Sequence, residues 1–245
     1  MLLSLLSGGD LTTIVISLLL SVPVILFALS FHEFAHGFVA WKCGDNTAYH
    51  LGRLTLNPLR HLDLFGVLSM LIFGYGWAKP VPVNSRNFRN PRKGMALTAI
   101  AGPAANLILG AISAVLYGFT VAFDAYMEAR FMMYGTGSEF LLTCIGYLGT
   151  LFSLGALYNF LFMAFNLIPV PPFDGSRIAF VFLPPRYYFG IMRYERQIML
   201  GVLIVLLVLS RFGFSPFSWI AERLTLAIAQ PICDLFIGIF ENILF

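Results

Sequence analysis

The chain has 245 residues, 59% of them hydrophobic and 11% charged, with a formal net charge of +3 and a mean hydropathy of +0.84. A soluble domain of this size carries about 25% charged residues, so an ordinary globular protein is excluded. Low-complexity tracts, internal repeats and a basic stripe are absent from the sequence, which argues against disorder, a solenoid and a nucleic-acid partner.

The charges are clumped, leaving uncharged runs at 11–32, 95–123, 140–173 and 197–210. Three of these exceed the roughly 20 apolar residues that span a bilayer as a helix. The composition therefore predicts an all-α polytopic membrane protein with about four to six transmembrane helices. Cys43, Cys144 and Cys233 are scattered and odd in number, so they form no disulfide framework and are expected to pack among helices.

The first helix is expected over 11–41, with a kink at Pro23. The residues before it lack a positive region and a small-residue cleavage site, so the run is read as a retained span rather than a signal peptide. Between Lys42 and Lys93 lie eight basic residues against Asp45 and Asp63, which places this segment in the cytoplasm by the positive-inside rule. Within it, the uncharged stretch 64–78 is too short to span, and the alternation of KPVPVN continues it to 84. It reads as a short re-entrant or β segment near 64–84, whose edge could receive an extended substrate.

A second span is expected at 95–123, followed by an acidic loop with Asp124, Glu128 and Glu139 on the far side. A third returns over 140–168 to the cytoplasm, where Arg177, Arg186, Arg193 and Arg196 outnumber Asp174 and Glu195. A fourth is expected at about 197–214. Residues 216–245 are apolar but interrupted by charges and Pro231, and fit a fifth span, interfacial helices or a dimer contact.

Near the cytoplasmic end of the first helix stands HExxH, from His32 to His36. On a helix, positions i and i+4 share a face about 5–6 Å apart, so both imidazoles can reach one metal ion, and Glu33 beside them can hold a proton of water. Ionisable side chains inside a transmembrane helix are costly and therefore read as functional. A catalytic zinc takes three protein ligands, so a third must come from elsewhere. The candidates are His50, His61, Asp234 and Asp174, and Asp174 is the best placed: Pro169, Pro171 and Pro172 break the third apolar run just before it.

HExxH on an early helix, followed by N-x-x-P-x-P-x-x-D-G after a later one (166–175), resembles the site-2 protease family of intramembrane zinc metalloproteases. The resemblance extends to Gly102 and Asn106, similar to the family's Gly-x-x-x-Asn element, and to NPLRHLD (57–63) and GWAKPVPVN (76–84). It covers about residues 25–180 and is closest to the compact prokaryotic members without a PDZ or CBS domain. It implies one Zn2+ per chain held by His32, His36 and Asp174, with Glu33 as general base. It further implies that Asn106 polarises the scissile carbonyl or stabilises its oxyanion, and that Asn166 positions substrate backbone.

The chain is thus expected to be a single membrane protease domain over 1–245, with its catalytic core at about 11–180 and C-terminal membrane segments at 197–245. Its expected partners are membrane-protein substrates and the bilayer. Its expected location is a prokaryotic cell membrane, with the active site toward the cytoplasmic side. The alternative is an inactive zinc-binding protein that holds client helices. A metal transporter is a third reading, but it predicts more polar residues along the spans than this sequence has.

Overall fold

The computed structural model describes residues 11–66, 68, 78–135, 138–171, 173–180, 187, 190–191, 193–212 and 216–244. The described residues are mostly helical, with no strand among them. Four helices are long and apolar enough to cross a membrane: α1 (Leu11–Lys42), α3 (Pro91–Tyr134), α4 (Glu139–Asn166) and α7 (Pro216–Leu244). Shorter helices are α2 (Thr47–His50), α5 (Asp174–Phe180) and α6 (Glu195–Arg211). The chain is an integral membrane protein.

Helix α3 is the hub, packing against α1, α4, α5 and α7. At 44 residues and 1.5 Å rise per residue it is about 66 Å long, twice the hydrocarbon thickness. It starts at Asn90, whose side chain accepts from the Lys93 N–H, with Pro91 in the first turn, and it ends at Gly135 in the left-handed conformation (φ 65°). Every fourth residue from Thr98 through Gly102, Asn106, Gly110, Ala114 and Gly118 to Ala122 is buried. Six of these seven are small enough to let neighbouring helices approach closely. A Cβ on Gly110 would lie 2.7 Å from the Phe160 ring of α4, and one on Gly118 would lie 2.4 Å from the Ala229 carbonyl of α7. Ala114, Ala156, Phe160 and Ala221 close the core where α3, α4 and α7 meet. Ile25, Ala28 and Phe162 do the same between α1 and α4.

Three boundaries differ from expectation. The second span runs eleven residues past Phe123, because Glu128 and Arg130 favour helix and a span can protrude from the bilayer. The fourth expected span, 197–214, is the 17-residue α6, about 25 Å long and shorter than the four spanning helices. Of the alternatives left open for 216–245, residues 216–244 form one continuous helix across Pro231, long and apolar enough for the fifth span. Of the expected re-entrant or β segment, residues 64–66 are helical and 78–84 have no regular structure, and 69–77 lie outside the described residues.

The polar end of the bundle is tied down by Asp45, which is fully buried. Gly44, at φ 110°, turns the chain out of α1. The Asp45 carboxylate then accepts from the Thr47 hydroxyl and N–H, from the Asn84 N–H at 2.7 Å and from Asn87 Nδ2 at 2.8 Å. Burial opposes its ionisation, but these hydrogen bonds outweigh burial and hold the carboxyl below its ordinary value. The three cysteines are free and partly buried.

Candidate metal centre and active site

His32 and His36 project from one face of α1, their ring centroids 4.6 Å apart and nearly perpendicular. Asp174 reaches them from the far end of the chain. Helix α4 stops at Asn166, a turn closes with Phe173 N–H donating to the Val170 carbonyl, and Ser176 bonds back to the Phe173 carbonyl to open α5 at Asp174. Gly175 makes this turn possible, because a Cβ there would sit 2.3 Å from the Leu167 carbonyl oxygen and 2.5 Å from that of Ile168. Backbone atoms cannot move aside as a flexible side chain can.

The result is a triangle of ligand atoms. His32 Nε2 lies 3.0 Å from His36 Nε2, and Asp174 Oδ2 lies 3.1 Å from each. Among the described residues this is the one group of three such side chains close enough to share an ion. A tetrahedral ion with bonds of 2.0–2.1 Å separates its ligand atoms by about 3.3 Å, so the triangle is the right size for zinc.

The hydrogen bonds behind the rings also fit. His36 Nδ1 lies 2.6 Å from the Thr98 carbonyl, which can only accept, so Nδ1 carries the proton and Nε2 presents its lone pair. His32 Nδ1 faces Asn106 Oδ1 at 2.5 Å, which sets the same tautomer. Fixing each ring through its second nitrogen is how protein zinc sites orient their imidazoles. Gly102 provides the floor: a Cβ there would lie 2.4 Å from His36 Nε2 and 2.6 Å from His32 Nε2. This donor set fits a zinc ion.

Glu33 stands beside the triangle, buried, with Oε2 accepting the Val81 N–H at 2.7 Å. The segment carrying Val81 is held by Arg53, which donates to the Lys79 and Pro80 carbonyls, and by the Lys79 N–H on the His61 carbonyl. The Val81 donor is therefore committed to Glu33 and does not form part of a strand edge. His61 is buried in this loop with Nε2 on the Thr55 carbonyl, away from the triangle. His50 and Asp234 are exposed and outside it.

Asn106 is fully buried, with Oδ1 on His32 and Nδ2 on Asn159 Oδ1 and the Ala28 carbonyl. Nδ2 and one lone pair of Oδ1 are thus engaged by protein partners. Asn166 is partly buried and bonds back to the Phe162 carbonyl one turn earlier in α4. Sequence reasoning missed Asn159, and its only signal was a carboxamide in the middle of an uncharged span.

A His-His-Asp group with a flanking glutamate, in a chain with four helices long and apolar enough to cross a membrane, is the arrangement of a membrane zinc metallopeptidase. Comparison with known proteins agrees: the profile of peptidase family M50 matches residues 20–210, and the chain belongs to that family, the site-2 proteases. It is a zinc metalloendopeptidase. Among curated relatives it is 39% identical over 223 residues to "Putative zinc metalloprotease YwhC" of Bacillus subtilis, covering 91% of this chain and 93% of that one. It is 30% identical over 201 residues to "Putative zinc metalloprotease Rip2" of Mycolicibacterium smegmatis, covering 79% and 70% of the two chains. No solved structure matches.

Proposed function

We propose that this protein hydrolyses peptide bonds within transmembrane or membrane-proximal segments of other membrane proteins. The observation that carries the reading is the position of the triangle: His32, Glu33 and His36 lie within the apolar helix α1, and Asp174 reaches them from α5, which packs on the long apolar helix α3 beside α1. The catalytic core is then the unit from α1 to α5, within a single membrane protease domain.

In this reading His32, His36 and Asp174 hold the zinc. When bound, zinc would polarise the scissile carbonyl and make water at the site more acidic. Glu33 takes a proton from water on its carboxylate and returns it to the leaving amine. The Val81 N–H on Oε2 holds the carboxylate in orientation and leaves Oε1 for that proton. Asn106 acts by holding His32, and Asn166, eight residues before Asp174, positions substrate backbone. Because a substrate helix has its amides in internal hydrogen bonds, it must be unwound before Glu33 and water can reach a carbonyl.

The eight basic residues between Lys42 and Lys93 follow α1 directly, so the site belongs to the cytoplasmic leaflet of a prokaryotic cell membrane. The test is cleavage of a single-span protein in liposomes, with the new termini mapped by mass spectrometry. Termini inside the apolar segment support the reading. Cleavage confined to soluble regions remote from the membrane refutes it.

A further inference from the structure

We propose that Asn159 is a positioning residue for the zinc site, fixing the tautomer and orientation of His32 through Asn106. The proposal rests on the reading of His32 as a ligand and extends it to a residue on a different helix.

The starting observation is a carboxamide in the wrong place. Asn159 lies about two turns before the C-terminal end of α4, in a run without charge, and is 3% exposed. A buried amide in apolar surroundings destabilises unless every polar atom finds a partner. Its partners form a line with one permitted direction. The Gly155 carbonyl can only accept, so the Asn159 group 2.8 Å from it is Nδ2. Oδ1 of Asn159 then faces Asn106 at 2.8 Å and must receive a donor, so Asn106 presents Nδ2 to it. That leaves Asn106 Oδ1 against His32 Nδ1, and His32 carries its proton on Nδ1. The polarity of one backbone carbonyl on α4 thus sets which nitrogen of His32 has a lone pair for metal.

The two histidines differ in how much they need this. His36 Nδ1 is held by the Thr98 backbone carbonyl, which cannot turn over. His32 is held by the end of a side-chain amide, which can. The Asn106 contact that resists rotation apart from Asn159 is Nδ2 on the Ala28 carbonyl at 3.4 Å, long for a hydrogen bond. Without Asn159, Asn106 is free to rotate and offer Nδ2 to His32. Nδ1 would then become the acceptor, and the proton would sit on Nε2, where it blocks ligation. Asn159 prevents this.

The experiment measures zinc dissociation constants by chelator competition in detergent, together with the visible spectrum of the Co2+-substituted protein. It compares wild type with Asn159→Leu, Asn159→Asp, Phe160→Leu and His32→Ala. Leucine preserves volume and removes the relay, so zinc affinity should fall about tenfold, at the lower end for outer-shell partners, with altered cobalt bands. Aspartate is kept protonated by burial and can donate to Gly155 while accepting from Asn106, so it should restore affinity and spectrum to near wild type. Phe160→Leu disturbs the same helix without touching the relay and should bind zinc as wild type does.

The proposal is overturned if Asn159→Leu matches wild type, if Asn159→Asp is no better than leucine, or if Phe160→Leu weakens zinc as much. Should Asn159→Leu fail to fold, Asn159→Ala carries the same expectation. Wild-type zinc binding by His32→Ala would instead refute the ligand reading, and so separates the two failures.

Discussion

Gly102→Ala adds one methyl group to α3 where that helix passes beneath the two imidazoles. Its carbon would lie 2.4 Å from His36 Nε2, and 2.5 and 2.6 Å from His32 Cε1 and Nε2. Van der Waals contact is optimal near 3.5 Å, so both rings must withdraw by about 1 Å. Metal-ligand distances tolerate about 0.2 Å, and a displacement of about 1 Å in a catalytic centre costs about 100-fold in rate. We expect cleavage to fall by about that factor, equivalent to about 2.7 kcal/mol, and zinc affinity to fall at least about tenfold. The helix itself should survive: alanine is a better helix former than glycine by about 1 kcal/mol, which offsets part of an overpacking cost of about 1–3 kcal/mol. The assay is zinc affinity by chelator competition alongside liposome cleavage, with Gly146→Ala as control because nothing lies within 4 Å of its added carbon. Wild-type zinc affinity and cleavage in a folded Gly102→Ala protein would refute the close approach of α3 to the histidines.

Three further outcomes follow from the same geometry. Gly175→Ala would press its Cβ against the Leu167 and Ile168 carbonyl oxygens and drive Asp174 away from the histidines, so bound zinc measured by elemental analysis should drop in a protein that still contains α1. Gly118→Ala would meet the Ala229 carbonyl at 2.4 Å and loosen α7 from α3, lowering unfolding stability by about 1–3 kcal/mol while zinc affinity stays unchanged. The folded-state value of Asp45 lies below its ordinary 3.8, so its contribution is complete at neutral pH and is lost as pH falls through the depressed value. Hydrogen-exchange protection at residues 84–87, relative to the intrinsic rate at each pH, should therefore fall below about pH 4 in wild type and show no such step in Asp45→Asn.

The spans were legible because charge is so costly in hydrocarbon that its absence marks a crossing: α1 and α4 end within two residues of their expected spans, 11–41 and 140–168. Legibility failed where that rule says nothing. Glu128 and Arg130 suggested a loop, but α3 continues through them because a helix may carry charge once it has left the bilayer. Pro231, Asp234 and Glu241 obscured α7, whose helix is supported by contact with α3, from Gly118 to the Phe119, Phe236 and Phe240 rings. At the site, HExxH declared itself through helical spacing, and Asp174 through the prolines before it. The support behind His32 was not legible, since Asn106 and Asn159 are 53 residues apart and an uncharged amide leaves no mark on a hydropathy reading. Gly102 was marked by the Gly-x-x-x-Asn resemblance, but its role as the floor was not legible, because a glycine within a stripe of small residues reads as packing until the imidazoles above it are placed.

The central claim is that a zinc held by His32, His36 and Asp174 works with Glu33 to cut membrane-protein substrates. The most direct test is Glu33→Gln, reading bound zinc and cleavage of a single-span substrate from one preparation. Glutamine can still accept the Val81 N–H, so the loop and the metal site should persist while proton transfer is lost. The account predicts about one zinc per chain, as in wild type, with cleavage reduced by about 100-fold to 10,000-fold, the usual contribution of a general base. Cleavage at the wild-type rate by a zinc-loaded Glu33→Gln protein would contradict it.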